Sequence, residues 1–208
     1  MNEISISVII PLAPNEIQPK SLLASLPENT DIILSQKEGR AASLNHGAAQ
    51  AKGEYLWFLH ADSELSTQAW RKLITAIKQK PNALHYFRLA FFSGSDKMKI
   101  NAWGANFRSS VFGCPFGDQG LCISSALFDQ LQGFPEDLEY GEDHVFVWKA
   151  RQQDISLNEI DATITTSARK YNNNGWLKTT LSHICLWIKQ AWPEWKQLRK
   201  IKNEKNKP

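Results

Sequence analysis

The chain has 208 residues and a formal charge of +3, with 42% hydrophobic and 22% charged residues. That composition excludes disorder, and a chain of this length buries roughly 70% of its unfolded surface without covalent staples. No run of 18 residues is free of charge, which argues against a transmembrane helix. Glu3 stands where a signal peptide wants positive charge, so a cytoplasmic chain without a targeting segment is expected. Cys114, Cys122 and Cys185 are odd in number and lack metal-ligand spacing, which points to reduced, mostly buried thiols.

The first third alternates strand and helix. Ile4 to Leu12 is a β-branched run closed by Pro11 and Pro14, the pattern of a buried parallel strand. A short helix over Pro19 to Leu26 and a strand over Asp31 to Ser35 follow. The Ala-rich stretch Ala41 to Lys52 predicts a helix stopped by Gly53 in the left-handed C-terminal position. Tyr55 to His60 is a third strand. Trp70, Leu73, Ile74 and Ile77 then mark an amphipathic helix ahead of Pro81. Repeated strand–helix units with short loops predict a parallel sheet covered by helices.

Beyond Pro81 the spacing predicts a strand over Leu84 to Phe92 and a helix over Asp96 to Val111. A polar loop over Gly113 to Gly120, a short strand over Leu121 to Ile123 and a helical turn over Leu127 to Leu131 come next. A helix over Gly141 to Gln152, a strand over Ala162 to Ser167 and a long helix from Trp176 to Gln197 complete the pattern, with fraying expected from Ile201 on.

Ligands of open parallel sheets sit at the carboxyl ends of the strands. Four polar clusters fall there: Pro11 to Glu16, Arg40 with Asn45, His60-Ala61-Asp62, and Glu142-Asp143 at a helix start that favours carboxylates.

The strings SVIIPLAPNE, GRAASLNHGAAQAKGEYLWFLHADSEL, PFGDQG, QGFPEDLEYGEDHVF and TSARKY, in this order, resemble the family 2 glycosyltransferases. They are similar above all to the bacterial group named radical-SAM/selenodomain-associated transferase 2. The resemblance covers Ile4 to about Tyr171. It implies a GT-A, Rossmann-like α/β fold, a mixed and mostly parallel sheet flanked by helices, over residues 1–175, with 176–208 as a helical extension. It also implies transfer of a sugar from a nucleotide-sugar donor to an unidentified hydroxyl acceptor, with inversion.

The family's acidic triplet falls on His60-Ala61-Asp62. Asp62 matches its second aspartate and His60 replaces the first, so the pair is the expected holder of a divalent metal, Mn²⁺ or Mg²⁺, on the donor diphosphate. Asp143 matches the general base, with Glu142 beside it. Pro11, Glu16, Arg40, Asn45 and Arg169, with Lys170, are the expected donor-binding residues. Asp118 and Gln119 are the expected sugar or acceptor contacts, and Arg88 and Arg108 match subgroup positions without an assigned role.

Two departures from the family stand out besides His60. The segment Asp31 to Arg40 replaces a longer nucleotide-reading unit, so the nucleotide half is shortened, which also suits a degenerate sugar-nucleotide-binding or scaffold protein. The C-terminus differs in charge: from Lys189 on, seven Lys/Arg meet two Glu, a balance of +5 that leaves the first 188 residues at −2. Leu177, Leu181, Ile184, Cys185 and Ile188 form an apolar helical face among lysines and tryptophans. That face suits contact with the inner membrane surface near a lipid-linked acceptor, packing on the domain, or a homodimer. The basic run is too short and terminal for a nucleic-acid partner.

Overall fold

The computed structural model describes residues 4–14 and 16–205; Glu3, Asn15 and the side chain of Lys170 lie outside the described residues. Seven strands form one mixed sheet: β1 (Ile6–Pro11), β2 (Asp31–Ser35), β3 (Tyr55–Phe58), β4 (Glu64–Leu65), β5 (Ala83–Phe91), β6 (Cys122–Ser124) and β7 (Ser156–Thr166). The order across the sheet is β2-β1-β3-β6-β5-β7-β4. β1 runs parallel to both β2 and β3, and β5 runs parallel to β7. β6 is antiparallel to β3 and β5 and joins the two parallel parts.

The helices are α1 (Lys20–Ala24), α2 (Arg40–Ala48), α3 (Ala69–Gln79), α4 (Lys97–Phe112), α5 (Ser125–Gln130), α6 (Glu142–Gln152), α7 (Arg169–Asn174) and α8 (Trp176–Lys205). A 3-10 turn covers Gly117–Gln119. Helices on both faces of a sheet need strands that are apolar on both faces. β1 meets that need, with Val8, Ile9 and Ile10 wholly buried. Ile9 joins Phe58, Phe134 and Phe146 on one side of the sheet, whereas Val8 and Ile10 join Trp57, Leu73 and Phe87 on the other. Trp57 stacks on Phe87 at 5.5 Å, and its indole N–H donates to the carbonyl of Gly120.

Three expectations change. The Ala-rich helix ends at Ala48, and Gly53 is not its left-handed cap. A Cβ on Gly53 would lie 2.5 Å from the backbone nitrogen of Ser7, so glycine is required there by the close approach of β1. The last strand begins at Ser156, six residues before the expected start at Ala162, because Ser156 to Ile160 pairs with β5 as well, ahead of an irregularity at Phe87/Arg88. The long helix continues to Lys205, anchored by buried Leu198 and by an ion pair between Lys205 and Asp154.

The ladders position the site. The register Ile9↔Phe58 sets Pro11 and Leu12 beside the His60-Ala61-Asp62 segment, and Pro11↔Ser35 brings the loop before α2 to the same end. β4 pairs with β7 through Glu64↔Thr165, which brings the end of β7 against Asp62.

Candidate active site

A cleft of about 420 Å³ opens at these strand ends. Pro11, Glu16, Arg40, His60, Asp62 and Arg169 all line it, as the strand-end rule and the resemblance anticipate. Lys37 and Ser43 line it too; they follow β2 and answer to the same rule. The Glu16 carboxylate accepts from the amide of Ala13 and shapes the loop after β1.

Arg40, the first residue of α2, is the hub. Its Nη2 lies 2.5 Å from Nε2 of His60, and its Nη1 lies 3.2 Å from Oε1 of Glu142. One guanidinium therefore links the end of β3 to the start of α6, although Arg40 and Glu142 are 102 positions apart in sequence. Glu142 is nearly buried. Burial raises its pKa, the neighbouring Asp143 raises it further, and Arg40 opposes both.

Asp143 is held by backbone amides. Its Oδ1 accepts from the N–H of His144 at 2.8 Å, and its Oδ2 accepts from the N–H of Gly117 at 2.6 Å. A Cβ on Gly117 would fall 2.8 Å from that oxygen and 3.1 Å from Nη2 of Arg40, so only glycine lets the loop come this close. Neither Asp143 nor Glu142 lines the cleft itself; both reach it through Arg40 and the Gly117 loop, and the loop's next residue, Asp118, lines a second cavity.

That second cavity, about 390 Å³, lies between α4, α7 and α8 and includes Asp118, Arg108 and Tyr171 in its lining. Oδ1 of Asp118 is sealed from water without a hydrogen-bond partner among the described residues. Burial pushes the Asp118 carboxyl up to about 6; Arg108 pulls it back and Asp143 adds to the rise. Arg108 is half-buried, and that desolvation lowers its pKa; its guanidinium lies 3.5 Å from the centre of the Phe116 ring. The sequence marked Arg108 without a role; its place beside Asp118 supplies one.

Other expected residues stand elsewhere. Asn45 does not reach the cleft. Its amide nitrogen donates to the carbonyl of Phe134 and to Glu136, and its oxygen accepts from the amide of Phe134, so it clamps a loop to α2. Gln119 is fully buried and also structural. It accepts from Ser109 Oγ at 2.6 Å and from the amide of Phe116, and donates to the carbonyl of Phe87. It pins the loop that presents Asp118. Arg88 pairs with Glu159 and Asp161 along the β5–β7 ladder.

For a divalent cation the protein offers few donors. Among the described residues no three His, Cys, Asp or Glu side chains converge on one point. Asp62 presents one carboxylate to the cleft, steadied by Thr166 Oγ1 at 3.3 Å. Nε2 of His60 faces Arg40 instead. This donor set does not fit a closed all-protein metal cage. It fits an ion that takes one carboxylate from the protein and its remaining ligands from phosphate and water.

Comparison with known proteins agrees with this fold. Among curated proteins none matches the sequence. Among solved structures the chain is similar to TarS of S. aureus, with a TM-score of 0.55 and 17% identity over 79% of this chain and 35% of that one. The same score and identity hold for TarS 1-349 in complex with UDP-GlcNAc and with UDP, of which this chain covers 56% and 58%. At that identity the likeness shows the fold, and this chain spans between about a third and three fifths of those proteins. The model of glycosyl transferase family 2 matches residues 20–125, about half of the sequence, from α1 to the start of α5 and across Arg40, His60, Asp62 and Asp118. The chain belongs to glycosyl transferase family 2.

Proposed function

We propose that this protein transfers a sugar from a nucleoside-diphosphate sugar to a hydroxyl acceptor, with inversion, in the manner of the radical-SAM-associated subgroup. The observation that carries the reading is the convergence on Arg40, which joins the donor cleft at His60 to the acidic start of α6. The TarS complexes with UDP-GlcNAc and UDP support a uridine nucleotide as the first donor to test.

Arg40, Lys37 and Arg169 provide positive charge toward the donor diphosphate. Asp62 would hold Mn²⁺ or Mg²⁺, which when bound supplies Lewis-acid neutralisation of the leaving diphosphate. Asp143, kept in orientation by two backbone amides, takes the acceptor proton as the acceptor oxygen bonds to the anomeric carbon. The bond from that carbon to the diphosphate oxygen breaks, and the nucleoside diphosphate leaves with the electron pair. Asp118 and Arg108 border the acceptor side.

Calorimetric titration with UDP, GDP and their sugar conjugates, with and without Mn²⁺, tests the reading. Wild type should bind at least one of them. Asp62→Ala should weaken that binding and remove its metal dependence, and Asp143→Asn should bind normally without turnover. Failure of every nucleotide to bind would favour a scaffold that keeps the fold without the chemistry.

A further inference from the structure

Two helices carry their apolar stripes on the outside. On α4, Ile100, Trp103, Phe107 and Val111 recur at helical spacing, and Trp103 is 67% exposed. The inward face of the same helix is polar: Asn106 bonds the backbone of Leu89 through both amide atoms, and Ser109 bonds Gln119. On α8, Leu177, Leu181, Ile184, Ile188, Trp192 and Trp195 form a second stripe, with Ile188 54% exposed. That stripe spans about 27 Å at 1.5 Å per residue. A helix that packs only on its own domain turns such a stripe inward; these two leave theirs 38–67% exposed.

The two stripes lie side by side. Asn101 accepts from Trp176 and donates to Thr180, and the rings of Phe112 and Trp187 are 5.9 Å apart. The cavity that contains Asp118 lies between them, with Phe107, Phe112, Ile184 and Trp187 among its apolar lining. Basic groups sit on the surface tryptophans: Lys97 over Trp176, Lys196 over Trp192 and Arg199 over Trp195. Paired cations and tryptophans beside an apolar stripe suit the boundary between lipid headgroups and acyl chains. No helix among the described residues is long and apolar enough to cross a membrane.

From this arrangement we infer that the α4–α8 face seats the protein on an anionic lipid surface, and that the groove between the helices admits an amphiphilic acceptor whose polar head reaches Asp118 and Arg108. The choice of a bilayer over a second copy rests on charge: the stretch from Lys189 on carries a balance of +5, which repels its own copy and attracts anionic headgroups. The acceptor part depends on the transferase reading; the docking part does not.

The full chain is sedimented with vesicles of phosphatidylglycerol and phosphatidylethanolamine, and with vesicles of phosphatidylcholine. Binding to the anionic vesicles should exceed binding to the neutral ones by about tenfold and weaken in high salt. Two variants with exposed substitutions, Trp103→Ser with Ile188→Ser and Lys196→Glu with Arg199→Glu, should each lower it by about tenfold. Circular dichroism of the same samples reports folding, and nucleotide titration tests the transferase reading separately. Wild type that ignores anionic vesicles overturns the inference, as does binding unchanged in the apolar variant. So does a stable dimer in sedimentation equilibrium that the apolar variant dissolves, because a second copy would then cover the face.

Discussion

The amide of Gly117 donates to Oδ2 of Asp143 at 2.6 Å, and this bond ties the loop that presents Asp118 to the helix that presents Asp143, the proposed base. The two carboxylates, Asp118 and Asp143, are thereby set in one frame. Arg40 approaches the same place from α2, so the loop fits between a carboxylate and a guanidinium.

Gly117→Ala should uncouple activity from stability. The added methyl would sit 2.8 Å from Oδ2 of Asp143 and 3.1 Å from Nη2 of Arg40, so both side chains must yield. Side chains at the rim can move at little cost to the fold, but displacing a catalytic group by about 1 Å costs on the order of a hundredfold in rate. Turnover should fall by about that factor while the thermal midpoint stays near wild type, with a smaller loss of nucleotide affinity because Arg40 shifts as well. A variant with full turnover would remove Asp143 from the chemistry.

Asn45→Ala should do the reverse. The amide clamps the loop at Phe134, whose ring is buried among Phe58, Phe128 and Phe146. Without it, the amide and carbonyl of Phe134 lose their partner, at about 1–3 kcal/mol for each group left unsatisfied. Denaturant unfolding should therefore show a loss of roughly 2–6 kcal/mol, with donor affinity unchanged once the protein is folded. A drop in nucleotide affinity at unaltered stability would return Asn45 to the donor site.

The contrast between these two residues shows what the sequence discloses. Strands such as Ile6–Pro11 and Tyr55–Phe58 are legible because burial on both faces forces an unbroken apolar run. The cleft residues are legible because a parallel ladder must end somewhere, and ligands gather at that end. The partner of Asn45 lies 89 positions away, and no local pattern announces it. Gly53 resembles a helix stop, yet its requirement comes from Ser7 in a neighbouring strand. The long helix from Trp176 outlasts its apolar pattern because Lys205 finds Asp154, a contact set by how α8 lies on the domain. The reach of Arg40 to both His60 and Glu142 belongs to the same class of tertiary facts.

Asp118→Asn ties function to pH. In the unfolded chain this carboxyl ionises near 3.8, and in the fold burial holds it up to about 6. Between those values the folded state keeps a proton that the unfolded state has lost, so rising pH works against folding. The cost is absent below 3.8, grows through the interval and is complete above about 6. An asparagine imitates the neutral acid and avoids it. The variant should thus unfold at a higher temperature than wild type at about pH 7.5, and the difference should shrink toward zero at about pH 4. If Asp118 meets the acceptor, the same variant should raise the acceptor KM and leave nucleotide affinity intact. The pH-dependent gain reports the buried charge; the KM reports what that charge is for. Equal stability at both pH values would mean that Asp118 is solvated, and would remove the reason to place an acceptor beside it.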